Sequence, residues 1–112
     1  MPKEIIYKKL IRDKIPEIIA ADGWLAKTKI MQKDEFMKEL KKKILEEAKE
    51  LNDGRGHKNL VEELTDIQEV IDAILKEKKI KFSEFRKAQS KKRIKRGGFK
   101  KRLFLIKTVE GK

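Results

Sequence analysis

The sequence predicts a mainly α protein, an antiparallel helical bundle built on two long amphipathic helices. Apolar residues recur at spacings of three and four from Phe36 to Leu51, and again from Leu60 to Leu75. That spacing is the repeat of one helix face. Turn and capping residues fall where these runs stop and start, at Asn52-Asp53-Gly54 and at Asn59. The two runs are separated by a short stretch only, so the helices must pack as antiparallel neighbours. A length of 112 residues is that of one domain, residues 1–112.

The elements follow in order. Pro16 suits the first turn of a short helix, where its missing N–H costs nothing. Asp22-Gly23 ends that helix. Residues 26–31 alternate weakly and predict a short strand. Asp34 is the expected N-cap of the first long helix, about 34–52, whose stripe is Phe36, Met37, Leu40, Ile44, Ala48 and Leu51. A turn is expected over 54–58. Asn59 with Glu62 forms a capping box for the second long helix, about 59–78. Its stripe is Leu60, Leu64, Ile67, Ile71, Ile74 and Leu75. Ser83 is expected to cap a third, basic helix ending at Gly97-Gly98. Residues 102–108 read as a strand, which pairs with 26–31 as a small terminal β-pair.

Composition removes several functional classes. No Cys is present, so disulfide frameworks and thiolate metal sites are excluded. His57 is the single histidine, which one chain cannot build into a multi-histidine zinc site. No apolar run reaches the roughly 18 residues of a membrane span. The first residues hold no long apolar stretch of a secretory signal, and a cytoplasmic location is expected. Charged residues make up 45% of the chain and the net charge is +12, a surface that attracts polyanions.

Acidic residues form a pattern within this basic chain. Glu46-Glu47-Ala48-Lys49-Glu50 is followed, twelve residues on, by Glu63-Leu64-Thr65-Asp66. Glutamate is common on solvated helix faces, so the spacing alone carries little weight. Angular position carries more. At about 100° per residue and with Phe36 as zero, Leu40, Leu51, Ile44, Met37 and Ala48 fall between roughly 40° and 120°. Glu47 falls at about 20°, inside that apolar sector between Phe36 and the others, Glu50 at about −40° on its border, and Glu46 at about −80°. With Leu60 as zero, Glu63 lies at about −60°, between Val70 and Ile74, and Asp66 borders the stripe at about −120°. Glu62 and Glu69 point away at about 180°.

An acidic i, i+3 pair from each of two antiparallel helices therefore converges at Glu47, Glu50, Glu63 and Asp66. Burying unpaired carboxylates is costly. Lys43 borders the first stripe and can compensate one of them. A divalent cation is the simplest compensation for the rest, and oxygen-only ligands select Mg²⁺, with Mn²⁺ as the alternative. Four acids within a basic chain point to a metal-bridged polyphosphate, whose outer oxygens are held by Lys and Arg.

This acidic pattern resembles that of the all-α nucleoside triphosphate pyrophosphatases, the MazG-type and phosphoribosyl-ATP pyrophosphohydrolase-like proteins. Tyr7-Lys8-Lys9-Leu10-Ile11-Arg12-Asp13-Lys14-Ile15-Pro16 is similar to the N-terminus of a short subgroup of that superfamily. Arg96-Gly97-Gly98-Phe99-Lys100-Lys101-Arg102 with the apolar segment after it resembles the subgroup's C-terminus. Together the three motifs cover nearly the whole chain. The resemblance implies Mg²⁺ on Glu47, Glu50, Glu63 and Asp66, with Glu46 as an accessory acid that orients water. It implies hydrolysis of a nucleoside triphosphate between the α- and β-phosphates, often to clear damaged or surplus nucleotides, in a homodimer or homotetramer. Glu46 and Glu47 are then the expected catalytic acids. Arg12, Lys14, Arg96, Lys101 and Arg102 are the expected phosphate ligands.

Two residues read more plainly. His57 is expected in a solvated loop, and Trp24 as a core or interface anchor. The contrasting functional class is a nucleic-acid-binding helical module. Its carrier would be the basic run Lys91-Lys92-Arg93-Ile94-Lys95-Arg96 through Lys100-Lys101-Arg102, with Phe99 inside it. That class gives no reason for Glu47 and Glu63 to sit in apolar stripes.

Overall fold

The computed structural model describes residues 2–54 and 59–111. Their secondary structure is four helices: α1 (Ile15–Ala21), α2 (Lys33–Asp53), α3 (Leu60–Glu77) and α4 (Phe82–Arg96). The chain divides into two compact units, residues 1–79 and 80–112. The mainly α expectation is met.

In the first unit, Pro16 opens α1, and Gly23 at φ 86° follows its C-cap Asp22. α2 starts earlier than expected, with Gln32 as N-cap and no side-chain cap bond. Asp34 is not the cap: it lies in the first turn, where its Oδ1 accepts the Glu35 N–H at 3.0 Å. There it and Glu35 complement the positive end of the helix dipole. Gly54 closes α2 in the left-handed region at φ 60°, a conformation that glycine adopts without Cβ strain. The remainder of the expected turn, with His57, lies outside the described residues. Asn59 caps α3 as expected, its Oδ1 accepting the Glu62 N–H at 2.9 Å.

α2 and α3 pack on one another. Met37 and Leu40, early in α2, meet Val70, late in α3, as the buried core. Leu10, Phe36, Ile44, Ala73 and Ile74 pack around them. The early end of one helix meets the late end of the other, which makes the pair antiparallel. Leu10 also brings the N-terminal motif onto the helix pair.

The stripes are narrower than their periodicity suggests. Ala48, Leu60 and Leu64 are exposed, and so is Val61. Helical phase places them near the apolar sector, but two helices alone cannot cover the flank of that sector. Trp24 is also exposed, so it is not a core residue.

The second unit is α4 and the segment after it. Lys81 rather than Ser83 is the N-cap of α4, and Gly97 at φ 83° ends it as expected. The described residues contain no strand. The expected β-pair of 26–31 and 102–108 is corrected accordingly. Ile30, Leu103, Phe104, Leu105 and Ile106 are all exposed. A two-stranded ribbon with no buried face has little to stabilise it. No helix among the described residues is long and apolar enough to cross a membrane.

Candidate metal centre

The acidic residues of α2 and α3 are positioned by the same helical phase that builds the core. Glu47 lies on the α2 face that carries Met37 and Leu40, and is 6% exposed. Glu63 lies on the α3 face that carries Val70, and is 5% exposed. They are the two buried charged residues described. Glu50, one turn after Glu47, is half-buried. Glu47, Glu50 and Glu63 each offer a carboxylate oxygen, and these oxygens lie within 4.8 Å of one another. Glu62, beside Glu63 in sequence, is exposed as the angular argument requires.

Charge compensation at this cluster is uneven. Lys43 Nζ lies 3.9 Å from Glu47 Oε1 and 3.6 Å from Glu46 Oε1, all on α2. The Lys43 side chain is itself largely buried, so it serves as an internal countercharge. On the α3 side, Glu63 Oε2 is buried and accepts no hydrogen bond among the described residues. A buried carboxylate oxygen normally finds a donor, because leaving it without one costs about 1–3 kcal/mol. An oxygen-only cluster with such an orphan suits a hard divalent cation.

Asp66, one turn after Glu63, is held differently. Its Oδ1 accepts a charge-assisted hydrogen bond from Arg12 Nη2 at 2.8 Å. The expected site thus resolves into three clustered glutamates and an adjacent aspartate tied to the N-terminal motif. Arg12, expected to contact phosphate, reaches the rim of this cluster through Asp66. Lys14 is exposed at the N-cap of α1. Glu46 is exposed on α2 beside Lys43. Arg96, Lys101 and Arg102 belong to the second unit and are exposed there, Arg96 in the last turn of α4.

Sequence reasoning missed two features. One is the Arg12–Asp66 pair, which no local spacing reveals because 54 residues separate the partners. The other is the crevice beside α2, lined by Lys8, Lys9, Leu10, Glu39, Lys42, Lys43 and Glu46. The signal for it was present in the run of basic residues around an apolar Leu10, but it needs the docking of that segment to become a surface. Compared with known proteins, the chain matches no family model, no curated protein and no solved structure.

Proposed function

We propose that this protein is a Mg²⁺-dependent nucleoside triphosphate pyrophosphohydrolase, releasing pyrophosphate and a nucleoside monophosphate. The observation that carries this reading is Glu63, a buried carboxylate with an orphan oxygen set against Glu47 and Glu50. The resemblance of the three sequence motifs to the all-α pyrophosphatases supports it.

Glu47, Glu50 and Glu63 would hold the cation, with Asp66 beside them. Bound there, Mg²⁺ supplies charge neutralisation for the polyphosphate and a lowered pKa for water. The protein's own groups do the rest. The low-dielectric face between α2 and α3 strengthens each electrostatic contact made within it. Arg12 fixes Asp66 and keeps a guanidinium at the rim, where phosphate oxygens need bidentate donors. Lys14, exposed in the same unit, is the further cation assigned to phosphate. Glu46, exposed and one residue before Glu47, accepts the proton of the attacking water. The water oxygen bonds to phosphorus, the anhydride bond between the α- and β-phosphates breaks, and pyrophosphate leaves with that bond's electron pair.

The reading includes at least a homodimer. Leu60, Val61 and Leu64 leave an apolar strip exposed on α3, and the core of the first unit is small. Small cores are commonly completed by association.

The test is a panel of standard and modified nucleoside triphosphates with Mg²⁺, scored by released pyrophosphate. Turnover of at least one substrate that disappears in Glu47→Gln and persists in Glu62→Gln is expected. Equal loss in both variants, or turnover indifferent to Mg²⁺, would overturn the assignment.

A further inference from the structure

The charge of this protein is strongly segregated. Residues 80–112 hold 13 of the 31 Lys and Arg but only 2 of the 19 Asp and Glu. They thus carry +11 of the net +12, and the carboxylate-bearing first unit is nearly neutral. The proposed hydrolase chemistry needs a few cations at a phosphate, not a segment of this kind.

α4 makes the point structurally. Arg86, Lys87, Lys91, Lys92, Arg93, Lys95 and Arg96 lie on it, with Glu84 as its one acid. At about 100° per residue these cations point to all sides of the helix. No residue of α4 is buried. Lys87 and Lys91, Lys91 and Lys95, and Lys92 and Arg96 are i, i+4 pairs of like charge, which repel on a helix surface. A polyanion would relieve this repulsion.

Two observations narrow the polyanion. A membrane-surface helix needs an apolar face, and α4 has none: its Ile94 is 84% exposed among cations. Immediately after the Gly97-Gly98 break, Phe99 is 98% exposed and followed by Lys100-Lys101-Arg102. An exposed ring flanked by cations is a stacking platform for an unpaired base, whereas the bases of a duplex are already stacked.

We propose that residues 80–112 bind single-stranded nucleic acid, with α4 neutralising the phosphate backbone and Phe99 stacking on a base. This goes beyond the proposed hydrolase activity, and the residues that its test varies lie outside the carboxylate cluster.

The test is fluorescence anisotropy of the intact protein with a labelled single strand of about 20 nucleotides, longer than one binding site. It is run in EDTA, which silences the carboxylate cluster, across a salt series. Binding that weakens linearly in log–log form with salt is expected, with a slope of about −0.7 per phosphate neutralised. The variant combining Lys87→Gln, Lys91→Gln, Lys92→Gln and Arg93→Gln should bind at least about tenfold more weakly with a flatter slope. Glutamine preserves helix propensity, and circular dichroism checks the fold. Phe99→Ala lies outside any helix and should weaken binding roughly tenfold at unchanged salt slope. The proposal is overturned by absence of binding at low salt or by indifference to both variants. A duplex bound as tightly as the strand, or binding to anionic phosphatidylserine vesicles alone, overturns it equally. None of these outcomes bears on pyrophosphate release, so the two readings fail separately.

Discussion

Arg12 Nη2 donates to Asp66 Oδ1 at 2.8 Å, across 54 residues of sequence. The contact joins the segment before α1 to α3, one turn from buried Glu63. Arg12 is 57% exposed and Asp66 is 22% exposed. A pair so open to water contributes modestly to stability, about 0.2–1 kcal/mol before further screening by salt. Its position matters more than its energy. Asp66, one helical turn after Glu63, is held by a donor from outside the helix pair.

Arg12→Ala should therefore separate stability from activity. Thermal unfolding should shift by only a few degrees, in keeping with that small energy. Turnover should fall by roughly tenfold or more, because a bidentate phosphate donor and the clamp on Asp66 are lost together. Arg12→Lys restores the charge but not the fork, and should recover little. A melting temperature that collapses in parallel with turnover would show that Arg12 acts through the fold alone.

Glu63→Gln tests the cluster from the α3 side. The neutral side chain keeps the size of glutamate and offers an amide donor to the neighbouring carboxylates. In EDTA the variant should be more stable than the parent, by about 1–3 kcal/mol, because a buried charged group with an orphan oxygen is removed. In Mg²⁺ the order should reverse. A cation bound only to the folded state at a hundred times its Kd stabilises by about 2.7 kcal/mol, and the variant forfeits this. Differential scanning calorimetry with and without Mg²⁺ reads both effects. Identical melting of parent and variant in the two buffers would exclude a cation from this place.

The core makes a contrasting prediction. Leu40 is 2% exposed, the least exposed of the core residues. Leu40→Ala should cost about 2–5 kcal/mol from lost burial and an unfilled cavity. Leu45, five residues on along the same helix, is 72% exposed. Leu45→Ala should stay within about 0.5 kcal/mol of the parent. Urea melts followed by circular dichroism at 222 nm measure both. A Leu45 effect as large as that of Leu40 would mean that this flank is covered in solution.

Association is expected to use α3. Leu60 and Leu64 lie on one side of it and are 63% and 48% exposed. Leu64→Lys should lower the mass measured by light scattering at micromolar concentration, with helicity retained. A parent protein that is already monomeric under these conditions removes the homodimer from the reading.

Much of this was legible in the sequence because helical phase is a local property. The periods of Phe36–Leu51 and Leu60–Leu75 placed α2 and α3, and the same arithmetic put Glu47 and Glu63 inward while turning Glu62 out. Asn59 and Gly54 were legible for the same reason, since a cap is settled within one turn. Asp34 and Ser83 were misread as caps, since Gln32 and Lys81 take those places; the other misreadings have a common cause. The exposure of Leu60, Leu64 and Ala48 depends on how many neighbours surround a helix, which periodicity does not report. The β-pair failed because the weak alternation in 26–31 and the apolar run in 102–108 have meaning only with a surface to bury against. The contact of Asp66 with Arg12 was not legible, because 54 residues separate the partners.

The short link between α2 and α3 also orders events in time. Contacts within a helical hairpin are near in sequence, so they form early and fast. The Arg12–Asp66 contact closes a far longer loop and pays its entropy only once α3 exists to receive it. In stopped-flow experiments Leu40→Ala or Val70→Ala should chiefly slow folding, whereas Arg12→Ala should chiefly speed unfolding. The carboxylate cluster would then be assembled, with its repulsion in place, before the N-terminal segment arrives. A divalent ion present during refolding would accelerate the earlier step.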